Sequence, residues 1–487
     1  MFESLAALSG GALVFLVLGL LIALGFEFVN GFHDTANAVA TVIYTNTLRP
    51  WRAVILSGLC NFLGVFMGGI GVAVSIIYLL PAELLIAGGT GAGLAMVLSL
   101  LLGAIAWNLG TWYLGLPASS SHTMIGAILG VGLANSLRVH GTLDHGVNWG
   151  KAGGVGLSLL VSPLFGFSVA ALLLLAMRRF VRDRRLFEPP SDAAPPPGWI
   201  RALLVSTCAG VSFAHGSNDG QKGVGLIMLI LIGIVPAGFA LDLAAPPDRI
   251  EEAVAALRET ERLLTPVAVA TTAPGATPEG AARGEVAGPS AGTRARATAA
   301  RVRAMLEGRT SLKDVPREQR FAVRAGLVEL REQLEEGAAS GEIKPPVRGE
   351  LQARVERTRV VVDYAPTWVL VAVALALGTG TMIGWKRIVV TVGEKIGKTH
   401  LTYGQGAAAE LVAASTIGVA ALAGLPVSTT HVLSSGVAGT MIANGSTLQA
   451  TTVRNIALAW VLTLPAAILL SGGLFLLLSA LLGGVAQ

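Results

Sequence analysis

The chain has 487 residues, of which 53% are hydrophobic and only 13% charged, with 61 glycines and a formal net charge of +5. This apolar excess excludes a water-soluble globular protein and marks a polytopic membrane protein. The basic surplus sits at segment ends, where it orients spans and does not indicate nucleic acid. Cys60 and Cys208 fall in apolar runs without metal or disulfide spacing.

Apolar stretches lie near residues 11–29, 53–80, 91–115, 123–136, 154–177, 202–241, 365–385, 407–424, 432–444 and 456–483. A crossing needs about 20 residues, so roughly ten to twelve passes are expected, some shorter than a full span. Backbone groups in hydrocarbon must be satisfied internally and barrel-type alternation is missing, which predicts an all-α polytopic membrane protein. The first segment carries Glu27 and has neither a basic front nor a small-residue cleavage site, so it reads as a retained helix, not a signal peptide.

That segment runs into "NGFHDTANAVAT" at 30–41, which puts His33, Asp34 and Asn37 into a bilayer-length helix. An unpaired mid-bilayer charge costs at least about 2.5–3.5 kcal/mol, so Asp34 must face protein or a water-filled cavity. Further on, "LPASSSHTMIGAILG" at 116–130 places Pro117 before Ser119, Ser120 and Ser121, with His122 behind. Proline followed by hydroxyl residues starts a helix, and free amides, positive dipole and hydroxyl donors suit a tetrahedral oxyanion; simple capping is the alternative. Trp107 and Asn108 read as packing and interfacial residues.

Both motifs return. "GSNDGQKGVG" at 216–225 aligns with "GFHDTANAVA" at 31–40, pairing Asp219 with Asp34, setting Lys222 opposite Asn37 and adding the amide of Asn218. "LPVSTTHVLSSGVAG" at 425–439 repeats the Ser/Thr stretch through Ser428, Thr429, Thr430 and His431. Asp34 to His122 spans 88 residues and Asp219 to His431 spans 212; a polar insertion at 242–363 accounts for the excess. The chain is therefore read as two membrane repeats: 1–187, a linker 188–201, and a second repeat at 202–241 and 364–487 split by 242–363.

Basic clusters at Arg49 and Arg52, at Arg178, Arg179, Arg182, Arg184 and Arg185, and at Lys386, Arg387, Lys395 and Lys398 are assigned to the cytoplasm, which gives the repeats opposite topology. The insertion then lies outside the cytoplasm, as amphipathic helices around a Pro/Ala/Gly-rich flexible stretch near 265–298. Gly31, Gly216, Gly220, Gly223 and Gly225 predict broken helices at midplane, with close helix packing as the alternative. Lys222 either pairs with Asp219 or serves an anion; Glu410 is a further intramembrane acid.

At these residues the sequence resembles the inorganic phosphate transporter (Pit) family, its bacterial low-affinity branch in particular, through "NGFHDTANAVATVIYT", "WNLGTWYLGLPASSSHT", "HGSNDGQKGVGLIMLILIG", "GTMIGWKRI" and "GLPVSTTHVLSSGVAGTM". The resemblance implies a non-enzymatic symporter of the inner membrane importing phosphate by alternating access. Its phosphate site would use Asp34, Asn37, Ser119, Ser120, Ser121, Asn218, Asp219, Ser428, Thr429 and Thr430. Coupling would use His33, Asp34, Asp219, Lys222 and Glu410, with His122 and His431 in support. His33 stands where the family signature usually has Asn, a departure that accompanies proton coupling and acceptance of phosphate complexed with a divalent metal. Sodium-coupled relatives tend to carry two further acids, at positions that here are Asn61 and Glu410. No bound cofactor or resident metal site is expected, and a homo-oligomer stays open. The rival readings are a sulfate permease, a sodium-coupled phosphate permease and an intramembrane lipid pyrophosphate phosphatase. Sulfate at neutral pH has no proton to donate to Asp34 or Asp219, and the paired motifs lack the arginines a phosphatase needs.

Overall fold

The computed structural model describes residues 8–34, 36–79, 91–143, 147–190, 195–272 and 289–483. Among them the chain is helical, with one isolated antiparallel bridge between Gly397 and Leu448 and no strand. It divides into two compact units, Val14–Ile230 with Ala365–Gln487, and Leu231–Tyr364 with the N-terminal segment up to Leu13.

The larger unit opens with α1 (Gly10–Asp34), α2 (Ala36–Tyr44), α3 (Pro50–Met67), α4 (Gly71–Ile77), α5 (Gly91–Tyr113), α6 (Ser120–His140), α7 (Trp149–Phe180) and α8 (Gly198–Ile234). Six described helices are long and apolar enough to cross a membrane, or seven if the pair Thr367–Thr381 and Lys386–Gly393, bent by 65°, counts as one span. The protein is thus multi-pass. The expected ten to twelve passes are not all matched by spans of that kind, because several apolar stretches form short helices or carry the polar motifs. Large apolar side chains such as Leu160, Leu164 and Leu172 on α7 point outward, as a lipid-facing surface requires.

The smaller unit contains α9 (Pro247–Thr272), α10 (Ala291–Leu306), α11 (Arg317–Ala339) and α12 (Pro345–Thr358). Their apolar faces close around Leu257, Leu264, Val302, Leu306, Val323 and Leu330. Arg320 and Arg324 are buried there and donate to backbone carbonyls, Arg320 to Ala237 at 2.6 Å and Arg324 to Val362 at 2.8 Å. The expectation of a flexible stretch near 265–298 is corrected at both ends. Helix α9 runs on to Thr272, and α10 starts at Ala291 because Ala295 and Ala299 belong to this core; residues 273–288 lie outside the described ones.

The chain returns to the larger unit through α13 (Thr367–Thr381), α14 (Lys386–Glu394), α15 (Tyr403–Leu422), α16 (Thr429–Ala443) and α17 (Ala450–Gly483). Here α3 packs on α13, α6 on α17 and α16 on α7. Glycine sets these approaches. A Cβ on Gly31 would lie 2.3 Å from the Leu377 carbonyl oxygen and one on Gly216 2.2 Å from that of Asn61; one on Gly58 would lie 2.8 Å from the Gly378 carbonyl oxygen. The same holds for Gly130 against the Ile468 carbonyl oxygen at 2.3 Å and Gly439 against that of Phe167 at 2.2 Å. These helices meet backbone to backbone.

The expectation that signature glycines break the helices is therefore corrected. Helix α8 continues through Gly216, Gly220, Gly223 and Gly225, because their absent side chains are used for packing. The interruptions fall instead before the two Ser/Thr stretches, where Gly115 and Gly424 both take φ of +66° and Pro117 and Pro426 follow.

Candidate substrate and coupling-ion site

Two helix starts and two helix interiors converge at the site. Ser119 caps α6 by accepting from the His122 amide at 3.2 Å, and Ser428 caps α16 in the same way from the His431 amide at 3.1 Å. Each cap frees the following hydroxyls to face inward. Helix α1 contributes His33 and Asp34 from its last turn; α8 contributes His215, Asn218, Asp219 and Lys222 on successive turns, all buried.

Ser120 Oγ donates to Asp34 Oδ2 at 2.7 Å and lies 3.3 Å from Asp219 Oδ2. Thr430 Oγ1 donates to Asp34 Oδ1 at 2.7 Å. One carboxylate thus gathers a hydroxyl from each helix start. Lys222 Nζ donates to Asp219 Oδ1 at 2.8 Å, to the Val427 carbonyl at 3.2 Å and to Ser121, which itself donates to Val427 at 2.7 Å. Lys222 thus forms an internal ion pair with Asp219.

His33 places Nδ1 3.2 Å from Asp34 Oδ1 and Nε2 3.2 Å from Thr111 Oγ1. The Thr111 hydroxyl also lies 3.0 Å from the Trp107 carbonyl and 3.1 Å from that of Asn108, so His33 bridges Thr111 and Asp34. His215 repeats the arrangement. Asn61 donates its amide to Thr381 at 3.0 Å, which turns its oxygen toward His215 Nδ1 at 2.9 Å. His215 Nε2 is then left between Asp34 Oδ2 at 3.7 Å and Asp219 Oδ2 at 3.5 Å. Ligand atoms of Asp34, His215 and Asp219 all lie within 4.8 Å of one another, close enough for a small cation.

Other candidates fall around this centre. Asn218 braces the 425–427 backbone, donating to the Leu425 carbonyl at 3.0 Å and accepting from the Val427 amide at 3.4 Å. His122 and His431 lie 4.5 Å apart between ring centroids, tilted by 34°, and His431 stacks on Trp460 at 4.1 Å. Glu410 accepts from Thr41 and Thr207 and, among the described residues, shares no hydrogen bond with the carboxylate cluster. Thr429 is buried at the first position of α16; the Asn37 side chain lies outside the described residues. Sequence reasoning missed His215 and Thr111. The signal for His215 was its register in the repeat, three residues before Asn218 and opposite Asn30.

Comparison with known proteins shows the family to which the chain is similar. The model of the phosphate transporter family matches residues 30–471. The chain is 44% identical to the low-affinity inorganic phosphate transporter PitB of Escherichia coli K12 over 484 residues, covering 94% of this chain and 96% of that protein. It is 43% identical to PitA of the same organism over 477 residues, with the same coverage. A solved structure titled the sodium-dependent phosphate transporter shares the fold at a TM-score of 0.53 and 18% identity, covering 96% of this chain and 99% of that one.

Proposed function

Because the chain belongs to the phosphate transporter family, we propose that it imports inorganic phosphate, free or as a divalent metal–phosphate complex, by proton symport. Import would cross the inner membrane by alternating access of two inverted repeats. The observation that carries this reading is the sharing of Asp34 by Ser120 and Thr430. Those hydroxyls are the donors an anion needs at a helix start, and an ionised Asp34 competes for them. Protonation of Asp34 weakens its hold and releases them to phosphate oxygens, so proton and anion bind together. Hydrogen phosphate, unlike sulfate, can also donate to the second carboxylate, Asp219.

Sodium coupling is the second reading. It is disfavoured by Asn61, which is neutral and already engaged with His215 and Thr381. Purified protein in proteoliposomes decides between them: phosphate uptake should follow an imposed proton gradient, persist without sodium and resist excess sulfate. Uptake driven only by sodium would refute proton symport.

Ser120→Ala is expected to raise the phosphate concentration for half-maximal uptake by about tenfold or more, since a hydrogen bond to a charged group contributes about 1.5–3 kcal/mol. An unchanged value would return Ser120 to structure alone. His33→Asn is expected to leave phosphate affinity near wild type and displace the pH profile of uptake by about one unit, the worth of roughly one hydrogen bond. An unmoved profile would make His33 a passive brace for Asp34.

A further inference from the structure

Outside the central cluster, one buried acid has no use in the scheme so far. Glu27 is 0% exposed and Asn30 1% exposed, and both lie on α1, three residues apart. Among the described residues, Glu27 Oε1, Glu27 Oε2 and Asn30 Oδ1 meet no donor at full hydrogen-bond distance. The Glu27 side chain lies flat on α8 at Gly223, where a Cβ would come within 2.4 Å of Cδ and 2.6 Å of Oε1. The Asn30 side chain adjoins the carboxyl, and the charged groups acting on it, Asp219, Lys222 and His215, all belong to α8.

With the Asn30 amide as its one neighbouring donor among the described residues and no ion pair there, an ionised Glu27 is not a stable dry arrangement, because a buried, unpaired carboxylate costs several kcal/mol. The group must carry a proton or hold a cation. Glu27, Asn30 and Asp34 are spaced by three and four residues, so they share one face of α1 over about 10 Å of helix rise. That face ends at the carboxylate engaged by Ser120 and Thr430.

We propose that Glu27, with Asn30 beside it, is a second coupling-cation position, a carboxyl that takes up and releases a monovalent cation in each transport cycle. Resting on the proton-symport reading, that cation is a proton, bound to the carboxylate on uptake and leaving it ionised on release. The position lies about two turns along α1 from the carboxylate that holds the substrate donors and so acts on coupling, not on phosphate recognition.

The test is Glu27→Gln in proteoliposomes, which keeps shape and neutrality but cannot titrate. Accumulation of phosphate under an imposed proton gradient should fall at least tenfold, while phosphate–phosphate exchange without a gradient stays within twofold of wild type. If both persist, Glu27 is a permanently protonated packing group and the proposal fails. If both are lost in inserted protein, Glu27 belongs to substrate binding or the fold and the proposal also fails. Should Glu27→Gln not insert, Glu27→Asp is measured instead: accumulation with a displaced pH profile supports the proposal, and an unchanged profile overturns it. A parallel sodium arm separates the two readings. Wild-type uptake driven by sodium alone refutes proton coupling, yet selective loss of gradient-driven uptake in Glu27→Gln would still identify Glu27 as the cation position.

Discussion

Asp34→Asn is expected to abolish phosphate accumulation, to below about one hundredth of wild type, in protein that still inserts. Asp34 receives hydroxyls from both helix starts, Ser120 and Thr430, and faces His33 and His215. The amide is close in size, so packing survives. It cannot be ionised, and its NH2 group opposes one of those donors. An amide cannot take up and release the coupling proton, so the drive of an imposed two-unit pH gradient, at about 1.4 kcal/mol and about tenfold per unit, is forfeited. Uptake into proteoliposomes, normalised to inserted protein, measures it. Transport near wild type in this variant would remove Asp34 from the site.

The second large effect is expected at Asp219, and it is of a different kind. Asp219 holds Lys222 in a buried pair, 2.8 Å from Nζ. Removing one member of such a pair costs about 3–5 kcal/mol, because the other charge is left buried alone. Asp219→Asn should therefore lose both transport and folded protein, seen as a lower unfolding temperature in detergent. The double variant Asp219→Asn/Lys222→Met removes the stranded charge and should recover most of the unfolding temperature without recovering uptake. Full transport by the double variant would reduce the pair to a structural strut.

How much of this was legible in the sequence depended on contrast. Asp34, Asp219, Lys222 and the Ser/Thr stretches stand out because polar side chains are costly in apolar segments, and the aspartates and Ser/Thr stretches also because each recurs in the other half. His215 did not stand out. Its counterpart is Asn30, so comparing the halves showed no matching residue, although the distances place its ring between the two aspartates. Thr111 was hidden because a lone threonine in an apolar helix is commonplace. Its role depends on where His33 comes to rest, a tertiary fact. The signature glycines were legible as unusual but not as to purpose: flexibility and close packing leave the same mark in a sequence, and only the carbonyl of Leu377 against Gly31 decides between them. The 291–298 segment misled for a related reason, since small residues that read as linker become core when a neighbour covers them.

The glycine contacts also set where the protein is stiff. Backbone resting on backbone has no rotamers to adjust, so α1, α3, α8 and α13, joined through Gly31, Gly58 and Gly216, deform as one block. Gly130 fastens α6 to α17 and Gly439 fastens α16 to α7 in the same manner. The carboxylates ride on the first block and the hydroxyls on the other two pairs. Across the joint run side-chain bonds instead: Ser120 and Thr430 to Asp34, Lys222 to Ser121, and Asn218 to the Leu425 carbonyl. Under the proposed proton uptake, neutralising Asp34 would loosen the bonds from Ser120 and Thr430, while the backbone-fastened helices on either side keep their shape.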